Sequence, residues 1–477
     1  MPNYTNGFRA VILLFSLILI FVFRLDAQTN SFEQPNIIYI MADDLGYGDL
    51  GCYGQTKIKT PNIDQLAREG MRFTQHYAGS TVCGPSRASL LTGKHMGHAE
   101  LRGNPRWTSI GKPVDMPESE ITVAEELKSA GYTTAIVGKW GLAEANLDFM
   151  PLNQGFDYFY GFRKHRTAHN YYPNILWENN DPFHPEGNDP STHVGQYSHD
   201  SVTAKALQFV EKNAHQPFFL YLAFTTPHFE LTVPEDSREP YQNLEWKDRR
   251  MPAYKGGSYH HDTTNANVTY AAMVSRMDRD LGRLMNLLKA LNIDEKTLVI
   301  FTSDNGHEYD QGFFDSNGPL KGHKRDLYEG GVRIPFIARW PGHVKAGSSS
   351  DHISAFWDFL PTACDLAGIS PSGNIDGISY MPALIGEEQP EHDLLYWEFN
   401  EWQGPVQAIR KGKWKAVKFY KKPIELYNLE DDLGENHNVA DQYPDEVQTM
   451  AELFNQAHTD NEYFPLKPHP RIAHKFK

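Results

Sequence analysis

Four short, continuous apolar runs, each followed at once by polar residues of catalytic type, constrain the fold more than any other feature of the chain. They are Asn36-Ile37-Ile38-Tyr39-Ile40-Met41, Thr133-Thr134-Ala135-Ile136-Val137, Phe218-Phe219-Leu220-Tyr221-Leu222-Ala223-Phe224 and Leu298-Val299-Ile300-Phe301. Such runs, β-rich and without polar alternation, are expected for strands buried on both faces of a largely parallel sheet. Helical patterns lie between them. Pro61 to Glu69 is entered through Thr60-Pro61, Ile121 to Ala130 is closed by Gly131, and a long amphipathic stretch covers Asn267 to Leu291. Alternating strand and helix predicts an α/β layered fold.

The residues after each run matter most for function. Ala42-Asp43-Asp44 follows the first, Gly138-Lys139-Trp140 the second, Thr225-Thr226-Pro227-His228 the third and Ser303-Asp304-Asn305-Gly306 the fourth. Ligands of open α/β sheets bind beyond the carboxyl ends of the strands, so four strands are expected to deliver acids, a lysine, a histidine and an amide to one edge. Asp43, Asp44, Asp304 and Asn305 are hard oxygen donors, which suit Ca²⁺ or Mg²⁺ rather than zinc.

At 477 residues the chain exceeds what one core usually supports, so a large domain with a smaller one is expected. A formal charge of −15 argues against nucleic acid or an anionic membrane as the main partner. An anionic small substrate then needs local cations and a metal. The three cysteines, Cys52, Cys83 and Cys364, are too few for a disulfide framework. Arg9, the apolar run Ala10 to Phe23 and Leu25-Asp26-Ala27 before Gln28 read as an export signal cleaved near Ala27. That run falls short of the ~20 residues of a membrane span, so a secreted or periplasmic protein without stable membrane insertion is expected. From about Asn374 the texture changes to short half-alternating runs at Leu394 to Phe399, Val406 to Arg410, Trp414 to Phe419 and Ile424 to Leu429, an antiparallel meander followed by a helix from Pro444 to His458. The expected organisation is a signal segment at 1–27, a catalytic domain at 28–373 and a C-terminal subdomain at 374–477.

One motif gives this frame a chemistry. Cys83-Gly84-Pro85-Ser86-Arg87, running through Ala88-Ser89-Leu90 into Leu91-Thr92-Gly93, resembles the sulfatase signature C-x-P-S-R-x-x-x-L-T-G. The resemblance extends over almost the whole mature chain, including Glu425-Leu426-Tyr427-Asn428-Leu429 near the C-terminus. It implies an alkaline-phosphatase-like α/β fold: a large mixed, mostly parallel sheet sandwiched by helices, with a small C-terminal α+β subdomain. It implies that a formylglycine-generating enzyme reads Pro85 and Ser86 and oxidises Cys83 to formylglycine, whose hydrate is the nucleophile. Asp43, Asp44, Asp304 and Asn305, with the modified Cys83, would hold one divalent cation, usually calcium. Arg87 would sit beside the nucleophile. Lys139 and Lys324, the latter in Gly322-His323-Lys324-Arg325, would bind the sulfate oxygens, and His228 would lie next to the leaving-group oxygen.

The sequence departs from the family pattern at Gly141, where many members carry a histidine two residues after the lysine. His98 and His169 are the candidates to fill that space as substrate-binding groups. The insert from Gly161 to Tyr197 is rich in Tyr, Trp, His and Asn. It reads equally as a sugar-binding surface or as a long loop packed by its own aromatics. The expected activity is hydrolysis of sulfate esters on a sulfated carbohydrate. A phosphate or phosphonate ester hydrolase of the same superfamily, or a non-catalytic sulfated-glycan-binding relative, are the alternatives.

Overall fold

The computed structural model describes residues 33–145, 150–228, 230–247, 249, 263–309, 312–402 and 404–476. The strands of its main sheet, in chain order, are β1 (Asn36–Asp43), β2 (Met71–Tyr77), β3 (Thr133–Lys139), β4 (Tyr158–Phe162), β5 (Leu176–Glu178), β6 (Asp181–Phe183), β7 (Phe218–Pro227), β8 (Thr297–Ser303), β9 (Arg333–Arg339), β10 (Ser348–Ser350) and β11 (Ser354–Ala355). Their order is β10-β2-β9-β8-β1-β7-β3-β4-β5-β6, with β11 also on β2. The four apolar runs of the sequence become β1, β3, β7 and β8. With β4 they form the parallel centre, while β9 on one side and β5 on the other join antiparallel. The expected mixed, mostly parallel sheet is therefore present.

Register explains how the strand ends meet. Ala42 lies beside Ser303, Asp43 beside Pro227 and Gly138 beside Ala223. The next residues along, Asp304, His228 and Lys139, leave the sheet at one level with Asp43. Glycine is required at 138, because a Cβ there would lie 1.9 Å from the Ala223 carbonyl oxygen, with φ at +119°.

Both faces of the sheet are covered. The labelled helices are α1 (Pro61–Glu69), α2 (Cys83–Thr92), α3 (Val123–Ser129), α4 (Ser198–Asn213), α5 (Ala266–Ala290), α6 (Phe359–Ala367) and α7 (Pro444–Gln456). Ile38 and Ile40 face a core with Tyr270, Met273 and Met277 of α5. Tyr39 points the other way and its ring lies 4.4 Å from Phe359 of α6, the alternation that a strand imposes. Every residue of β1 is buried, so truncating Ile38 or Ile40 to Ala would cost about 2–5 kcal/mol.

The second sheet is an antiparallel meander of β12 (Leu395–Phe399), β13 (Val406–Lys411), β14 (Trp414–Phe419) and β15 (Ile424–Asn428). Tyr396, Ile409 and Leu426 pack on Met450 and Phe454 of α7. Trp397, Ala408 and Val417, on its opposite face, pack on Tyr77, Val82 and Trp357. Pro35–Lys477 is one compact unit. The three cysteines are free. No helix among the described residues is long and apolar enough to cross a membrane; the Ala10 to Phe23 run and the cleavage site at Ala27 lie outside those residues.

Candidate active site

Cys83 is the first residue of α2, a helix whose ten residues are all buried. Its Sγ lies 3.2 Å from Asp43 Oδ1 and 3.9 Å from Asp44 Oδ1. Asp43 ends β1, and Asp44 takes a left-handed φ of +64°, a conformation that short acidic side chains tolerate better than most. The signature residues around Cys83 each have a structural task. Ser86 Oγ donates to the Asp304 carbonyl and accepts from Gly79 N. Arg87, one turn on, donates to Asp304 Oδ2 from Nε at 3.1 Å and Nη2 at 2.7 Å, and to the Lys139 carbonyl from Nη1.

Four carboxylates, Asp43, Asp44, Asp304 and Glu308, interlock with three cations, Arg87, Lys139 and Lys324, all but Glu308 almost wholly buried. Lys139 Nζ is 2.6 Å from Asp43 Oδ2, and Lys324 Nζ is 2.6 Å from Asp44 Oδ2 and 2.8 Å from Glu308 Oε2. Burial opposes ionisation of Asp43, but the charges of Lys139, Arg87 and Lys324 outweigh it and hold its pKa well below the usual range. Asp44 behaves oppositely: burial and the charges of Glu308, Asp43 and Asp304 push it well up despite Lys324. Asp304 is also raised, by burial and then Asp43. Such crowding of buried like charges is what a bound divalent cation relieves. Burial, Asp304 and Asp43 likewise push the Cys83 thiol well up, opposite to the depressed pKa of cysteines that react as thiolates.

The buried donor set fits a metal ion. Asp43, Asp44, Cys83 and His228 present ligand atoms within 4.8 Å of one another. Asn305 Nδ2 donates to Asp44 Oδ1 at 2.7 Å, while Asn305 Oδ1 is buried with no hydrogen-bond partner. An unsatisfied buried amide oxygen on a side chain that contacts Asp44 is a group that a bound cation can satisfy.

His228, just past β7, has Nε2 at 3.2 Å from Lys324 Nζ and 3.4 Å from Asp44 Oδ2. Burial and Lys324 push its pKa down to about 3, so its ring is neutral and accepts from the ammonium. His169 stacks on it, rings parallel within 9° at 4.0 Å. His98 does not join this group. It lies past the C-terminal end of α2, roughly 14 Å of helix from Cys83, where Nδ1 pairs with Asp376 Oδ1 at 2.8 Å and the ring lies against His95.

Two neighbours escaped the sequence reading. Glu308, four residues after Asp304, joins Lys324 to Arg325, whose Nη1 is 2.6 Å from Glu308 Oε1. Its place in the loop after β8 was the available signal. His165 is half-buried, and its inaccessible Nδ1 has no hydrogen-bond partner. Burial first, then the charge of Lys139, lowers its pKa well below the usual value. The backbone ties it beside the residue that lacks a side chain: Trp140 N donates to Phe162 O and His165 N to Ala143 O, bracketing Gly141. A Cβ on Gly141 would lie 3.4 Å from Arg87 Cδ and 3.6 Å from Lys139 Cε. In the insert, Tyr171 and Tyr197 stack at 5.3 Å inside the core. The Tyr171 hydroxyl lies 2.6 and 2.7 Å from the carbonyl oxygens of Thr225 and His228. These aromatics brace the loop that carries His228.

Fold and site together define a hydrolase of the alkaline-phosphatase-like architecture with a buried cluster that fits a metal ion. Residues 35–369 match the family model described as Sulfatase, and residues 312–460 that described as N-sulphoglucosamine sulphohydrolase, C-terminal. N-acetylgalactosamine-6-sulfatase of Sus scrofa is 33% identical over 409 residues, covering 81% of this chain and 72% of that protein. N-acetylgalactosamine-6-O-sulfatase of Bacteroides thetaiotaomicron is 30% identical, covering 91% and 95%. Among solved structures, Ps i-CgsB in complex with k-i-k-neocarrahexaose is similar at a TM-score of 0.77 and 32% identity, covering 93% of this chain and 96% of that one. The chain belongs to the sulfatase family. It is a type I sulfatase of the alkaline phosphatase superfamily, and hence a sulfuric ester hydrolase.

Proposed function

We propose that this enzyme is exported and removes sulfate from a sulfated carbohydrate, with Cys83 oxidised to formylglycine and one divalent cation, calcium first, held by Asp43, Asp44, Asp304, Asn305 and the modified Cys83. The observation that carries the reading is the convergence on Cys83 of three buried carboxylates, the partnerless Asn305 Oδ1 and the cations Arg87, Lys139 and Lys324. The modification supplies a hydrated aldehyde as nucleophile, and the cation supplies positive charge at the sulfate. The chain's own groups do the rest. Lys139 and Lys324, buried and charged, bind the nonbridging oxygens, whose charge they stabilise most where water is excluded. Arg87 orients Asp304 and the modified residue. The proton for the departing alcohol is held on the Lys324 Nζ and His228 Nε2 pair, with His169 stacked behind it. His165 stands beside Gly141, where no side chain is available. The same reading keeps a catalytic part at 28–373 and a C-terminal subdomain at 374–477, with the formylglycine-generating enzyme as the partner during maturation.

A carbohydrate is favoured because relatives named N-acetylgalactosamine-6-sulfatase and a structural neighbour complexed with neocarrahexaose are similar along most of the chain. The test is release of free sulfate from sulfated oligosaccharides, with matched aryl sulfate and aryl phosphate as references. Sulfate release from sugar and aryl sulfate, with far slower phosphate release, is expected. Preferential phosphate release, or binding without release, would contradict it.

A further inference from the structure

Trp402, in the turn between β12 and β13, keeps 42% of its surface exposed and holds a left-handed φ of +37°. That conformation costs a non-glycine residue about 1–3 kcal/mol and gathers at sites where a side chain has to be aimed. Its indole lies 4.6 Å from that of Trp107, at 56°. The Arg471 guanidinium covers the Trp107 ring at 4.9 Å, and Lys475 Nζ donates to the Trp402 carbonyl at 3.3 Å. Three segments distant in sequence thus bring two indoles and two exposed cations together on a chain of net charge −15.

A relay of hydrogen bonds links this patch to the residues around Cys83. Glu401, next to Trp402, accepts from Asn104 N at 2.8 Å and from Asn104 Nδ2 at 3.4 Å. Asn104 Oδ1 in turn accepts from Gly84 N, the residue after Cys83, and Trp107 N donates to the Asn104 carbonyl at 2.8 Å. The charge of Arg325, adjacent in sequence to Lys324 and with 31% of its side chain open to solvent, acts on Glu401. Pyranose C–H faces pack on indoles, and sulfate groups pair with guanidinium and ammonium. A neutral apolar ligand would use the indoles and waste the cations, and a simple anion would do the reverse.

We propose that Trp402, Trp107, Arg471 and Lys475 form an outer subsite for a neighbouring sulfated sugar of the oligosaccharide whose reacting ester lies at Cys83. This rests on the sulfated-carbohydrate reading above. The test is steady-state sulfate release by the mature enzyme and by Trp402→Ala, Trp402→Phe and Arg471→Ala, on sulfated hexasaccharides from carrageenan and chondroitin sulfate and on 4-methylumbelliferyl sulfate. Trp402→Ala and Arg471→Ala should raise KM for the hexasaccharide about 3- to 10-fold, with kcat and aryl ester kinetics unchanged and Trp402→Phe largely restoring KM. Unchanged hexasaccharide KM in both variants, or an equal change on both substrates, would overturn the subsite. Turnover of the aryl ester with no hexasaccharide hydrolysed by the wild type would instead overturn the carbohydrate reading, and the subsite with it. Arg471, exposed at the surface, keeps the test decisive if Trp402→Ala fails to fold.

Discussion

Arg87 grips Asp304 through two nitrogens, Nε at 3.1 Å and Nη2 at 2.7 Å, with neither side chain open to solvent. One turn of α2 therefore presents Cys83 and also fixes a carboxylate delivered by β8. Removing one partner of such a pair leaves an uncompensated buried charge, so Arg87→Ala should lose about 3–5 kcal/mol of stability in denaturant unfolding. Arg87→Lys keeps the charge but not the fork. It should fold, with kcat/KM lower by about 100-fold, on the order of a lost transition-state donor.

Lys139 and Lys324 engage different carboxylates, Asp43 and Asp44, each at 2.6 Å. Each alanine variant should lose about 100- to 1000-fold in kcat on an aryl sulfate. Lys324 also touches His228 Nε2 and is, after burial, the largest cause of the low His228 pKa of about 3. Lys324→Ala should therefore raise the His228 pKa, read by imidazole NMR, whereas an unchanged value would show that burial alone sets it.

Asn305 Oδ1 is buried and partnerless, on a side chain whose Nδ2 donates to Asp44. A chelator should lower both Tm and activity, and Ca²⁺ should restore them. At a hundredfold excess over Kd the ion would contribute about 2.7 kcal/mol. Asn305→Ala should weaken the calcium-dependent rise in Tm; equal Tm with and without chelator would exclude the site.

Glu401 couples the C-terminal sheet to the active site, and burial raises its pKa to about 7 from an ordinary 4.5. Between these values the folded protein keeps a proton that the unfolded chain has released, so this group's effect on stability becomes less favourable as pH rises. The loss is complete above about 7 and on the order of 3 kcal/mol. Glu401→Gln keeps an acceptor for Asn104 without the charge. The stability of the variant relative to wild type should therefore climb from pH 4.5 to pH 8 in urea unfolding, and a pH-independent difference would refute the assignment.

The inner strands were legible because burial on both faces leaves the middles of β1, β7 and β8 as continuous apolar and aromatic runs, with polar residues only toward their ends. β2 and β9 were not legible. Met71-Arg72-Phe73-Thr74-Gln75-His76-Tyr77 mixes polar residues into a strand, and Arg333 and Arg339 bracket β9 with charges that tertiary pairing neutralises, Arg333 by Glu329 and Arg339 by Glu69 and Asp294. In the site, the strand-end residues Asp43, Lys139, His228 and Asp304 were readable from position alone. Of the two histidines offered for the space at Gly141, His169 stacks on His228 whereas His98 pairs with Asp376 beyond the far end of α2, a difference that only the fold reveals. His165 and Glu308 became visible only when folding showed which loop residues turn inward.

The most direct test is mass spectrometry of the peptide carrying Cys83, from active protein made in a host with a formylglycine-generating enzyme. The mass of an aldehyde in place of the thiol, its fraction rising and falling with specific activity, is the expected result. An unmodified Cys83 thiol in fully active protein would contradict the account at its centre.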